Sequence, residues 1–284
     1  MNLYVVNTGY FRLDGGAMFG VVPKSIWNKL NPSDENNMCN WAMRSLLIED
    51  GDRLYLIDNG MGDKQSEKFF SYYFLNGVDS LEKGLKQAGF GFDDVTDMIL
   101  THLHFDHCGG SVNKEGDKLV TAFPNAKYWS NKKHWDWAVN PNAREKASFL
   151  RENILPIEEA GQLHFVETVE KGTVPLDENS NVAIRYAYGH TEAMMLPQIE
   201  YQGRTIVFMA DLVPAQWHVP LPYVMAYDMF PMTTLTEKEA FLEEAVHNEY
   251  LLFFQHDPFM ECGTLKRTEK GVFIDQVGKL SDFV

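Results

Sequence analysis

The sequence predicts an α/β protein of the αββα sandwich class, two mixed β-sheets with helices on their outer faces. Two observations carry this. Strands alternate with helices in each half of the chain, and neither an all-β nor an all-α domain produces that pattern. The composition, 45% hydrophobic and 23% charged over 284 residues, supplies ample core. With no repeat, low-complexity tract or linker, a single domain over 1–284 is expected.

The elements follow in order. Residues 1–8 read as a first strand, and the polar cluster 31–37 as a surface loop. Residues 45–49 and 53–58 flank Asp50-Gly51-Asp52, a hairpin signal. From 79 a short helix begins at an Asp-Ser-Leu-Glu cap, places Leu81, Leu85 and Ala88 on one face and stops at Gly89. Residues 98–101 form a buried strand running into a histidine cluster, and 130–153 read as largely helical with a break near Pro141. In the second half, 182–187, 205–209 and 251–254 are strands, and Thr236-Glu237-Lys238-Glu239 caps a helix leading to the last of them.

Charge and cysteine usage narrow the function classes. The chain carries 25 Lys+Arg against 40 Asp+Glu, a net charge of −15, which argues against nucleic-acid and anionic-membrane partners. No apolar run reaches the roughly 20 residues a membrane span needs. The N-terminal stretch has no signal-peptide pattern, so a cytoplasmic protein is expected. Cys39, Cys108 and Cys262 are widely spaced with no CxxC pair, and read as buried or inert thiols.

The chemistry concentrates in His102-Leu103-His104-Phe105-Asp106-His107-Cys108-Gly109-Gly110, which follows an apolar strand. Along extended backbone His102 and His104 point the same way, and the next turn brings Asp106 and His107 back to that side. Imidazole and carboxylate together suit zinc and neighbouring first-row ions. His190, Asp211 and His256 share the setting, each just after an apolar strand, and ligands at strand ends converge on one sheet edge. His102, His104 and His190 with Asp211 would surround one ion. Asp106, His107 and His256 with Asp211 would surround the other, Asp211 bridging.

This set resembles the metallo-β-lactamase superfamily, whose HxHxDH hallmark appears as residues 102–107, with a Gly-His-Thr element at Gly189-His190-Thr191. The resemblance implies the same metal roles and makes Asp58, at the end of Leu56-Ile57-Asp58, the carboxylate that orients the ligand loop. Within the superfamily, the segments 14–24, 208–214 and 255–258 look most like the branch of acyl-homoserine lactonases and methyl parathion hydrolase. One departure stands out: well-studied lactonases carry a tyrosine three residues after the bridging aspartate, where this chain has Pro214.

The resulting expectation is a metal-dependent hydrolase with two divalent ions, zinc first and iron, manganese or cobalt as alternatives. A hydroxide shared by the ions would open a lactone or cleave a related ester, quorum quenching being the implied biology, and Asp106 would take or pass the proton. Phosphotriester or phosphodiester hydrolysis is the rival chemistry. A non-enzymatic metal-binding protein is disfavoured, because structural zinc sites are closed and usually hold sulfur. The partner is a small-molecule substrate, and a homodimer is allowed. Met18 and Phe19, between glycines, could form an apolar flap; His218 and Tyr223 are further pocket candidates, and His218 or a tyrosine of 223–227 could stand in for the hydroxyl missing at Pro214. Tyr223, Tyr227 and Asp228 read more readily as exposed loop residues. His134, His164 and His247 have no ligand-like spacing and read as surface or core residues, His134→Ala being expected to change almost nothing.

Overall fold

The computed structural model describes all residues, 1–284, and the chain divides into two compact units, residues 1–10 with 43–170 and residues 11–42 with 171–284. One sheet has the strand order Asn2–Asp14, Met38–Asp50, Arg53–Ile57, Asp97–Ile99, Lys127–Ser130, Leu163–Phe165. Its last four strands belong to the first unit and run parallel, with Ile57, Ile99 and Trp129 in register. Their C-terminal ends therefore share one edge, from which Asp58 and His102 emerge. The hairpin sits where its turn signal puts it, Asp50 facing Arg53 across Gly51 at φ 61°. The core of this unit gathers Val6, Leu47, Leu56, Met98, Leu100 and Ile154, and it also takes in Leu103 and Cys108 from the ligand loop. Burying a leucine side chain is worth about 1.5–3 kcal/mol, so Leu103, between His102 and His104, anchors the histidine loop, and Cys108 packs behind it.

The second unit holds a seven-stranded sheet ordered Gly271–Gly278, Cys262–Thr268, Leu251–Phe253, Arg204–Phe208, Met194–Tyr201, Val182–Ala187, Thr173–Pro175. Arg204–Phe208 and Leu251–Phe253 are parallel, with Phe208 opposite Phe253. Two antiparallel steps through Met194–Tyr201 give Val182–Ala187 the same direction as Arg204–Phe208. His190, Asp211 and His256 thus leave one edge of one sheet, as strand-end reasoning requires.

Several elements differ from expectation. The first strand runs on to Asp14, whose carboxylate caps a five-residue helix, Gly15–Phe19. The segment 130–153 is not one broken helix: Lys132–Val139 ends at Asn140, and the next helix, Arg151–Glu159, begins only after turns that deliver Glu145. The helix assigned to a Thr236 cap already starts at Pro231, because proline at the first helical position loses no hydrogen bond there. Thr236 lies inside it, its hydroxyl returned to the Met232 carbonyl at 3.1 Å. The strand Met194–Tyr201 and the hairpin of Cys262–Thr268 with Gly271–Gly278 had no clear alternating pattern. All three cysteines are buried and free.

Candidate metal centre

In the first unit the loop after Asp97–Ile99 gathers three imidazoles. The His102 ring lies 4.5 Å from His104 and 3.8 Å from His107, and the His107 Nε2 is 3.6 Å from an Asp106 oxygen. His104 is the N-cap of the single turn Phe105–Cys108, which folds Asp106 and His107 back beside the extended His102 and His104. The turn passes so close to its neighbour that a Cβ on Gly109 would stand 2.0 Å from the Met61 carbonyl oxygen, so only glycine fits.

Each of these rings is held by its other nitrogen. Asp58 accepts from the Thr101 backbone N–H at 2.8 Å, from the Thr101 hydroxyl at 2.7 Å and from His107 Nδ1 at 3.0 Å. With its proton committed to Asp58, the Thr101 hydroxyl can only accept from His102 Nδ1, 3.1 Å away. Glu145 accepts from His104 Nε2 at 3.0 Å and is itself fixed by Trp137 Nε1 at 2.6 Å. A carboxylate can only accept, so the tautomers follow: His102 and His107 present Nε2, His104 presents Nδ1. Asp58 holds φ at 55°, a left-handed conformation costly for a non-glycine residue and sustained here by three hydrogen bonds.

The second unit repeats the device. His190 Nδ1 donates to Asp228 at 2.8 Å and His256 Nδ1 to the Ala42 carbonyl at 2.7 Å. Their Nε2 atoms both face Asp211, each 3.1 Å from one of its oxygens. Pro214 receives the His256 backbone N–H on its carbonyl at 2.9 Å. Gly189 lets the turn before His190 lie on the helix Pro231–His247, where a Cβ would meet Thr234 N at 2.3 Å. From the same helix Glu237 caps the N–H groups of Tyr188 and Gly189.

These residues fit divalent ions. Burial works to lower the His190 pKa, yet the facing carboxylates of Asp211 and Asp228 push it up to about 10, so the surroundings of His190 favour positive charge beside Asp211. The donors are nitrogen and oxygen throughout, the set expected of zinc or a neighbouring first-row ion.

Residues 44–256 match the metallo-beta-lactamase superfamily. The chain belongs to it. The N-acyl homoserine lactonase of Bacillus thuringiensis subsp. kurstaki is 23% identical over 268 residues, covering 90% of this chain and 92% of that protein. A probable metal-dependent hydrolase from Staphylococcus aureus is similar in structure, with a TM-score of 0.86, 27% identity, and coverage of 98% of this chain and 96% of that one. AidC, a dizinc quorum-quenching lactonase solved with a product, gives a TM-score of 0.76 at 24% identity over 96% of this chain and 93% of its own. The αββα sandwich expected from the sequence is the fold of this superfamily.

Against that metallo-β-lactamase frame, four expectations need correcting. Asp228 is no exposed loop residue: it is 2% exposed and fixes His190. His134 is a core residue, but its Nε2 accepts the Leu103 N–H at 2.8 Å between His102 and His104, so its removal is not expected to be silent. His218 cannot serve as the missing donor, because its Nε2–H is given to the Met18 carbonyl at 3.0 Å. Burial first, with the Lys238 charge adding to it, lowers the His218 pKa to about 4, so the ring is neutral. Met18 and Phe19 are buried rather than flap-like, Phe19 stacking on His218 at 5.1 Å and meeting Tyr223 edge-on at 6.2 Å, whereas Tyr227 is 39% exposed. Glu145 escaped sequence reasoning because it stands 38 positions after His107 (145 − 107) with no motif around it. Tyr73 escaped as well: its ring contacts Phe105 at 4.6 Å, and burial together with the Asp106 charge raises its pKa to about 12.

Proposed function

We propose that this chain is a dinuclear metal-dependent hydrolase that opens a lactone or cleaves a related ester, the two units acting as one hydrolase domain. His102, His104 and His190 would hold one ion, Asp106, His107 and His256 the other, and Asp211 both. The observation that carries the reading is that five imidazoles each have one nitrogen fixed by an acceptor, leaving the other to ligate. Ions bound there supply a Lewis acid and a water acidified to a pKa near 7. Zinc is the metal we favour, because AidC is described as a dizinc enzyme.

The chain's own residues divide the remaining work. Asp106 holds or passes the proton released when the nucleophile forms, and Asp58 and Glu145 keep the imidazoles in their ligating tautomers. Tyr73, protonated at neutral pH, is the hydroxyl that compensates for Pro214. Its ring packs on Phe105, the residue between His104 and Asp106 in sequence, and its hydroxyl would donate to the carbonyl or departing oxygen. The acyl or aryl part of the substrate would lie on aromatic surface, and acyl-homoserine lactones are the first candidates because the lactonases above act on them.

The net charge of −15 disfavours nucleic-acid cleavage, and no helix is long and apolar enough to cross a membrane. A panel of N-hexanoyl-homoserine lactone, aryl esters, a paraoxon-type triester, a phosphodiester and a penicillin, assayed at neutral pH with metal supplied, tests the proposal. Lactones and esters should be turned over fastest. Preference for the phosphodiester or the penicillin would refute it.

A further inference from the structure

Lys238 is a fully buried ammonium in the middle of the helix Pro231–His247. A buried lysine must spend its three protons on acceptors. Here all three acceptors are backbone carbonyls of one short segment: Nζ donates to His218 at 3.0 Å, Pro220 at 3.2 Å and Tyr223 at 2.9 Å. Outside contacts also reach the segment, Gln216 N–H donating to Asp257 at 3.1 Å and His218 Nε2 to the Met18 carbonyl at 3.0 Å, but only Lys238 ties its two ends to one point. The segment is a single 3₁₀ turn, Gln216–His218, followed by irregular chain, and it contains Pro220 and Pro222, which donate no backbone hydrogen bond. Burial lowers the Lys238 pKa to about 8, with the Asp228 charge acting against it, so the group facing these carbonyls at neutral pH is the ammonium.

What the segment carries explains why it needs a fixed position. His218 stacks on Phe19 at 5.1 Å with the planes 6° apart, and Tyr223 meets Phe19 edge-on. Trp217 contacts Trp41 at 6.1 Å and Phe259 at 5.9 Å, so a continuous aromatic wall runs from buried Phe19 and Trp41 to Phe259, which is 62% exposed. Three wall members, Trp217, His218 and Tyr223, lie within the tethered stretch. That stretch in turn lies between Asp211 and Asp228, the two carboxylates on either side of the His190 ring. At one end Trp41 precedes Ala42, whose carbonyl takes the His256 Nδ1 proton at 2.7 Å, and at the other Phe259 is exposed; an apolar surface running from beside a candidate ligand to solvent is a place for the apolar substituent of a substrate.

We propose that Lys238 is a positioning residue: by clamping the carbonyls of His218, Pro220 and Tyr223 it fixes the aromatic wall that receives the acyl or aryl group of the substrate, and so sets chain-length preference without touching the reacting atoms. The proposal rests on the lactone or ester hydrolysis proposed above.

The test compares wild type with Lys238→Met, which keeps length and loses the ammonium, and Lys238→Arg, which restores a cation. Amide hydrogen exchange of metal-loaded protein is followed over 216–224, and KM and kcat are measured for N-hexanoyl-homoserine lactone and for unacylated γ-butyrolactone. In Lys238→Met, exchange over 216–224 should rise at least tenfold while metal content stays at the wild-type value. KM for the hexanoyl substrate should rise about tenfold, with kcat and the kinetics of the small lactone unchanged, and Lys238→Arg should recover much of the loss. Unchanged exchange over 216–224 overturns the proposal, and so does a KM increase shared equally by both lactones. If wild type hydrolyses no lactone or ester, the functional reading has failed, and the exchange result still decides whether Lys238 holds the segment. Should Lys238→Met not fold, Lys238→Gln, with two donors in place of three, should give intermediate exchange and an intermediate KM; wild-type values in that variant overturn the proposal equally.

Discussion

Asp228→Ala probes how far an imidazole ligand depends on the group behind it. Asp228 is 2% exposed and its carboxylate takes the Nδ1 proton of His190 at 2.8 Å. Truncation leaves a buried N–H with no acceptor, a penalty of about 1–3 kcal/mol. It also releases the ring orientation, for which loss of a partner behind a metal-bound histidine costs roughly 10–100-fold in metal affinity. At about 1.4 kcal/mol per factor of ten that is about 1.4–2.8 kcal/mol, so the two estimates coincide. Asp228→Asn keeps an acceptor of the same shape and loses only the charge, so its affinity should fall at the lower end, about tenfold. Asp136, an exposed carboxylate paired with Lys132 on a helix surface, provides the control, and Asp136→Ala should be silent. Zinc affinity is read by competition against a fluorescent chelator, with circular dichroism confirming the fold. A folded Asp228→Ala that binds zinc like wild type would refute the reasoning, because the ring would then be placed without its partner.

Other outcomes follow from single contacts. Tyr73→Phe should lower kcat for lactones tenfold or more at nearly constant KM, since an oxyanion donor is worth about a hundredfold to a thousandfold at best; unchanged kcat removes Tyr73 from the mechanism. His134→Ala should destabilise by about 1–3 kcal/mol in a denaturant titration, because the buried Leu103 N–H loses its acceptor. Asp211→Ala should abolish activity and release at least one ion by elemental analysis if, as proposed, its carboxylate serves both ions. For His218 the folded pKa is lowered to about 4 from 6.5, so below pH 6.5 the unfolded state binds more protons and this residue's contribution to stability is lost as pH falls from 6.5 to 4. His218→Phe, which keeps a ring on Phe19, should therefore lose less Tm than wild type across that window.

What could be seen in the sequence was what periodicity and local spacing encode. The strands around 53–57, 182–187, 204–208 and 251–253 announce themselves by short runs rich in apolar and β-branched residues, and ligand candidates at their ends follow from the direction of parallel strands. The residues that fix those ligands were another matter. Glu145 reaches His104 from a turn between two helices, Asp228 reaches His190 across 38 residues of chain, and His134 reaches Leu103 from a neighbouring helix. These contacts join elements distant in sequence, and nothing in the residues around them differs from an ordinary polar surface. Lys238 was hidden for the opposite reason: within Thr236-Glu237-Lys238-Glu239 the acidic neighbours mimic a helix cap, and only packing shows that the lysine is buried. Pro214 was visible at once, whereas Tyr73, which we propose supplies the hydroxyl in its place, depends on a fold contact with Phe105.

The central claim is a two-ion centre that performs hydrolysis. Its most direct test is a zinc titration of chelator-stripped protein with N-hexanoyl-homoserine lactone hydrolysis recorded at each step. Activity should climb and level off at two equivalents of zinc per chain. Full activity reached at one equivalent, or activity that ignores zinc altogether, would contradict that claim.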